Sequence, residues 1–168
     1  AVTLTFAIPM FLSDYSGYPK FQYWQGESWY RSGDYYRAVK YFTKAANEGH
    51  LQAQLDLAKI YDDGIERKPD RIDQDSQAAL KWYRMAADQG HAEAQVEVGT
   101  WYFKGKGVPK NLSEALRWFR KAAEQGHEGA KNMLNMYGDQ EQGATDKETE
   151  LAQQIRQAAE NGEAGAQY

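Results

Sequence analysis

His50, His91 and His127 have the widest chemical range of any side chains in this chain, because a neutral imidazole ligates metals and moves protons near neutral pH. Either use needs the rings to converge. Each instead follows an identical run, Ala-Ala-x-x-Gly, at Ala45–Gly49, Ala86–Gly90 and Ala122–Gly126. Residues that share one repeat position sit about one repeat apart, roughly 10 Å by helix packing. A structural role beside a helix C-terminus is therefore expected. Gly105-Lys106-Gly107 has the look of a phosphate loop. That loop needs four residues between its first glycine and the Gly-Lys pair and a strand before it, whereas five separate Gly99 from Gly105 and a helix precedes it. Asp62/Asp63 and Asp73/Asp75 lack the Asp-x-Asp-x-Asp-Gly grammar of a calcium loop and read as solvated charges. Asn111-Leu112-Ser113 fits a glycosylation sequon, but helix capping accounts for it. H-E-x-x-H and G-x-S-x-G are absent, as is cysteine. The expectation is a non-enzymatic chain with no cofactor and no metal.

The elements that carry these residues repeat. The Ala-Ala phrase occurs a fourth time at Ala158-Ala159-Glu160-Asn161-Gly162-Glu163, and the glycines are spaced by 41, 36 and 36 residues. Such a period marks stacked units rather than one closed core. In the clearest unit, Ala94, Val98, Trp101 and Tyr102 give a helical stripe over 92–104. Gly105-Lys106-Gly107-Val108-Pro109 then breaks the helix. Asn111 with Glu114 three residues on predicts a capping box, and Ala115, Trp118, Phe119, Ala122 and Ala123 stripe a second helix that Gly126 ends. The unit before it repeats the pattern from Leu51, with five extra residues in the loop Ile65–Gln74. Tyr23–Arg31 and Ala38–Ala46 form an earlier pair, and 128–137 with 146–161 a degraded fourth, in which Gln154 stands where Tyr41, Trp82 and Trp118 stand upstream. Burying each Trp or Phe contributes about 2–3 kcal/mol. Ordering costs about 1–2 kcal/mol per residue, so the pairs must stack to be stable.

With 42% hydrophobic and 14% aromatic residues among 168, the chain can bury a core. A net charge of −4 with no Lys/Arg stripe argues against nucleic acid. No run of 18 apolar residues is present, so no membrane-spanning helix is expected. Residues 1–12 (AVTLTFAIPMFL) are almost wholly apolar. We read residues 1–20 as the remnant of a signal or anchor, or as an arm packed on the first repeat, and 21–168 as the repeat domain of about four helix pairs. The first of these favours a periplasmic or exported protein, with the cytoplasm as the alternative.

Ala79-x-x-Trp82-Tyr83-x-x-Ala86-Ala87-x-x-Gly90-His91-x-x-Ala94, followed by Val98-Gly99-x-x-Tyr102-x-x-Gly105-x-Gly107-Val108, closely resembles the Sel-1-like repeat family, relatives of the tetratricopeptide repeats. Ala115–Ala130 repeats the junction, and the likeness runs over about 38–162; Ala58 departs from the helix glycine and Ile65-Glu66 from the loop. The resemblance implies an all-α, right-handed α/α superhelical solenoid that binds a protein or peptide partner. It also implies bacterial-envelope adaptors, secretion-system components and immunity proteins against secreted phospholipase-type effectors as models for the role. A peptidoglycan- or glycan-binding module is the alternative. In this architecture the first helix of each pair lines the concave surface. The candidate partner residues are therefore Gln52, Asp56, Lys59 and Ile60; Glu93, Glu97, Thr100, Trp101 and Lys104; and Met133, Met136 and Tyr137. Trp, Tyr and Met beside acidic groups suit a protein-binding face, while Trp101 and Tyr137 equally suit packing between repeats.

Overall fold

A computed structural model describes residues 18–67, 71–138, 153, 156 and 157. The described residues form α1 (Pro19–Ser32), α2 (Tyr35–Asn47), α3 (Leu51–Asp63), β1 (Ile65–Glu66), β2 (Arg71–Ile72), α4 (Ser76–Asp88), α5 (Ala92–Lys104) and α6 (Leu112–Glu124). Residues 128–138 form a further helix, α7. Helices pack as the antiparallel pairs α1/α2, α3/α4 and α5/α6, each leaning on the next, in a right-handed α/α superhelix. Residues 1–17, most of 146–161 and Gln154 lie outside the described residues, so the arm and the second helix of the fourth pair are not described.

The repeated phrase has a physical cause at each residue. All but one of the alanines are buried where α2, α4 and α6 meet their neighbours, with Ala45, Ala46, Ala86 and Ala122 at zero exposure and Ala123 half-buried. Gly49, Gly90 and Gly126 have φ of 86°, 89° and 88°, the left-handed turn that only glycine adopts cheaply. The following histidine N–H then donates back to Ala45, Ala86 or Ala122 at 3.0, 3.2 and 3.1 Å, closing a Schellman turn. The same histidine opens the next helix. His50, His91 and His127 each accept, at Nδ1, the N–H of the residue three positions on, at 3.3, 3.2 and 3.3 Å. One residue thus ends a helix with its backbone and caps the next with its ring. The role beside a C-terminus is confirmed, and the N-cap is added to it.

Two expectations are corrected. Asn111 caps α6 by accepting the Glu114 N–H at 2.9 Å, but the reciprocal half of the box does not form. The Asn111 N–H instead donates to the Tyr102 carbonyl at 2.9 Å, and the Glu114 carboxylate accepts from Arg117 and the Trp118 indole. The inserted loop is a short antiparallel hairpin, pairing Ile65 with Ile72 and Glu66 with Arg71.

The cap at His50 gives a pH prediction. An imidazole that accepts at Nδ1 is neutral or loses the bond. Burial beneath the Tyr23 ring, 4.4 Å away, lowers the His50 pKa; Lys20 adds to this and Asp56 opposes it. The unfolded chain therefore takes the proton first, near pH 6.5. Stability is full above that pH and falls as pH drops through it toward the lower folded value. Thermal melts at pH 7.5 and 5.5 are expected to differ less for His50→Asn, which keeps an acceptor but does not titrate. An unchanged difference would reject the cap as its source.

Candidate protein-binding face

The first helices of the three complete pairs, and α7 after them, follow one register that relates their residues. Asp56, Lys59 and Asp63 of α3 correspond to Glu97, Thr100 and Lys104 of α5 and, on α1, to Trp24, Glu27 and Arg31. Lys59, Glu93, Glu97, Lys104 and Met136 are exposed. So is Gln52, which donates to Asp56 at 3.0 Å. Asp56 is half-buried and also accepts the Tyr23 hydroxyl of α1 at 3.0 Å, tying the first two pairs together. Burial, then the charge on Asp56, holds the Tyr23 phenol above its ordinary pKa, so it remains a donor. Thr100 and Met133 are half-buried, and Tyr137 is half-buried with its ring 4.8 Å from Phe103.

Two proposed contact residues are core instead. Trp101 is 2% exposed and Ile60 6%. Trp101 stands edge-on to Tyr83 at 5.7 Å, with the Lys106 ammonium 4.5 Å from its ring centre. Lys106 also pairs with Asp62. The residues that suggested a phosphate loop and a solvated carboxylate are therefore partners in one clamp between the second and third pairs. Trp82 and Trp118 are buried as well, and Trp29 is half-buried with the Arg37 guanidinium 4.6 Å from its ring centre, which leaves Trp24, 63% exposed, as the tryptophan most open to a ligand ring.

The sequence reading missed the part of the face that α1 contributes. Glu27, Tyr30 and Trp24 belong to it, and Asp63 extends it on α3. The signal was present: counting back from Gln95 and Gln54 places Gln22 in the same register, and the contact positions of α1 follow from that. Among the described residues no group of three or more His, Asp or Glu side chains is placed to hold a metal ion. No helix among them is long and apolar enough to cross a membrane.

The Sel1 repeat family model matches residues 23–50, 51–91 and 92–127, the three complete helix pairs. Among solved structures, a Sel1 repeat protein from Oxalobacter formigenes is 30% identical with a TM-score of 0.61, over 74% of this chain and 94% of that one. A protective antigen present in uropathogenic Escherichia coli strains, with an SLR fold, is 34% identical at 0.60, over 72% of this chain and 26% of that one. Helicobacter pylori cysteine rich protein B is 26% identical at 0.52, over 58% and 70%. No curated protein matches.

Proposed function

The chain belongs to the Sel1 repeat family, a type of protein-interaction scaffold, and on that premise we propose that it is a non-catalytic adaptor holding a protein or peptide partner across the first-helix face. One observation carries this: Lys59, Glu97 and Lys104 are exposed along that face and form no ion pair among the described residues. Charges left open on a rigid scaffold fit the rim of a recognition surface. One of the similar structures is a protective antigen present in uropathogenic Escherichia coli strains, and the proposal takes a bacterial envelope as its setting. Within that setting, neutralising a secreted phospholipase-type effector is the specific form of the proposal.

The test is capture of partners from the envelope fraction of the native cell by tagged protein carrying Glu97→Lys or Met136→Ala. Both side chains are exposed, so folding is expected to survive. Glu97→Lys is expected to weaken capture about fivefold, with a changed salt dependence. Wild-type capture by both variants would remove the face. A captured phospholipase, with its activity inhibited in the complex, would support the immunity role, and a partner of another class would end it.

Among the tryptophans, the glycan reading now rests on Trp24. Retention on purified sacculi that Trp24→Ala abolishes would favour it over a protein partner.

A further inference from the structure

Between α1 and α3 the shared face opens into a cavity of about 290 Å³. Its base is apolar, made by the buried Phe42 and Ile60 and by Ile65 at the start of the hairpin. Tyr30 lines one side and is 43% exposed. Three carboxylates, Glu27, Asp56 and Asp63, line the same cavity against a single ammonium, Lys59. Their occupancy differs. Glu27 is engaged by Arg31 at 2.9 Å, and Asp56 accepts from Tyr23 and Gln52. The Asp63 carboxylate makes no hydrogen bond or ion pair among the described residues, although Lys59 lies one turn away on the same helix. Its neighbour Asp62 is already held by Lys106.

An apolar base, an aromatic wall and an open carboxylate match one kind of side chain. Its stem must be aliphatic, to cover Phe42 and Ile60. Its head must be cationic and planar, to lie on the Tyr30 ring and bridge carboxylates on two sides of the opening. Lysine meets the first condition, but its ammonium is compact and strongly hydrated; arginine meets both. We propose that this cavity is a subsite for an arginine side chain of the partner. The assignment rests on the first-helix face being the partner-binding surface. It locates the anchor at the junction of the first two pairs, where Tyr23 and Asp56 already join α1 to α3.

The probe is acetyl-Gly-Arg-Gly-amide, titrated into the 15N-labelled full chain and followed by amide chemical shifts. Saturable shifts are expected at Tyr30, Asp63, Gly64 and Ile65. The citrulline peptide, which keeps shape and loses charge, is expected to bind about tenfold more weakly, and the lysine peptide to fall between the two. Asp63→Asn and Tyr30→Ala are each expected to weaken the arginine peptide by about threefold to fivefold. Both positions are exposed, and matching circular dichroism spectra would show that the variants fold. Shifts absent from these amides, equal affinity for the citrulline peptide, or wild-type affinity in both variants would overturn the subsite. An arginine peptide that fails to bind, while partner capture still depends on Glu97, overturns the subsite and leaves the protein-binding face standing.

Discussion

Replacing Trp101 with alanine is expected to destabilise the chain by about 3–5 kcal/mol, the range for emptying a large buried aromatic site. Trp101 is 2% exposed and is enclosed by the Tyr83 ring and by Lys106, which is itself fixed on Asp62. Truncation opens a cavity at the junction of the second and third pairs and releases Lys106 from its stacking partner. The surrounding helices are linked at both ends, so the gap closes only in part. Urea unfolding followed by circular dichroism measures the loss. Trp24→Ala is the control: it removes the same side chain at a 63% exposed position and is expected to change stability by no more than about 0.5 kcal/mol. Similar effects for the two would contradict the placement of Trp101. A weakened partner capture by Trp101→Ala would report a damaged scaffold rather than a lost contact, so the binding test uses exposed residues.

Trp101 also marks how far the sequence could be read. Helices over 92–104 and 51–63 followed from apolar spacing and glycine stops, because those signals are local. Whether a residue at the edge of a stripe points in or out is not local. It depends on Tyr83, which lies 18 positions back in the chain, and on Lys106 beyond a glycine turn. Ile60 is buried for the same reason, lying under the cavity that α1 completes. The histidines were placed correctly as structural, but their ring bonds were not foreseen, since imidazole is not among the usual capping side chains. The hairpin at Ile65–Ile72 showed only as surplus length, because two-residue strands carry no periodicity. The contact positions of α1 were hidden by its weak family pattern and became legible only once a register marker was found.

That marker is a buried glutamine, and it supports the second large effect. Gln54 and Gln95 are almost fully buried, each one turn into a first helix. Each donates to the end of the preceding pair: Gln54 to Ala46 at 3.0 Å and Gln95 to Ala87 at 3.1 Å. Each accepts from the end of its own pair: Gln54 from Gln89 at 2.6 Å and Gln95 from Gln125 at 2.7 Å. A single amide therefore ties two successive pairs together and sets their stagger. The chain of bonds stops at α7, where Lys131 occupies the position, has no acceptor to offer and pairs with Glu128 at 2.7 Å. Gln95→Leu keeps the bulk and removes both bonds, so it is expected to cost about 1–3 kcal/mol. Gln125→Ala removes only the donor from the second helix and is expected to cost less. The double variant should fall short of the sum, because both act on one bond. At the other end the same logic predicts a gain. Gln22 holds the first register position, and its buried Oε1 has no hydrogen-bond partner among the described residues. Glu48 stands where Gln89 and Gln125 donate, and an ionised carboxylate has no proton to give. Glu48→Gln is therefore expected to stabilise the fold by about 1 kcal/mol, read as a higher urea midpoint at unchanged slope. A neutral or destabilising result would mean that side chain 48 does not reach Gln22, and that the glutamine linkage belongs to the inner pairs alone.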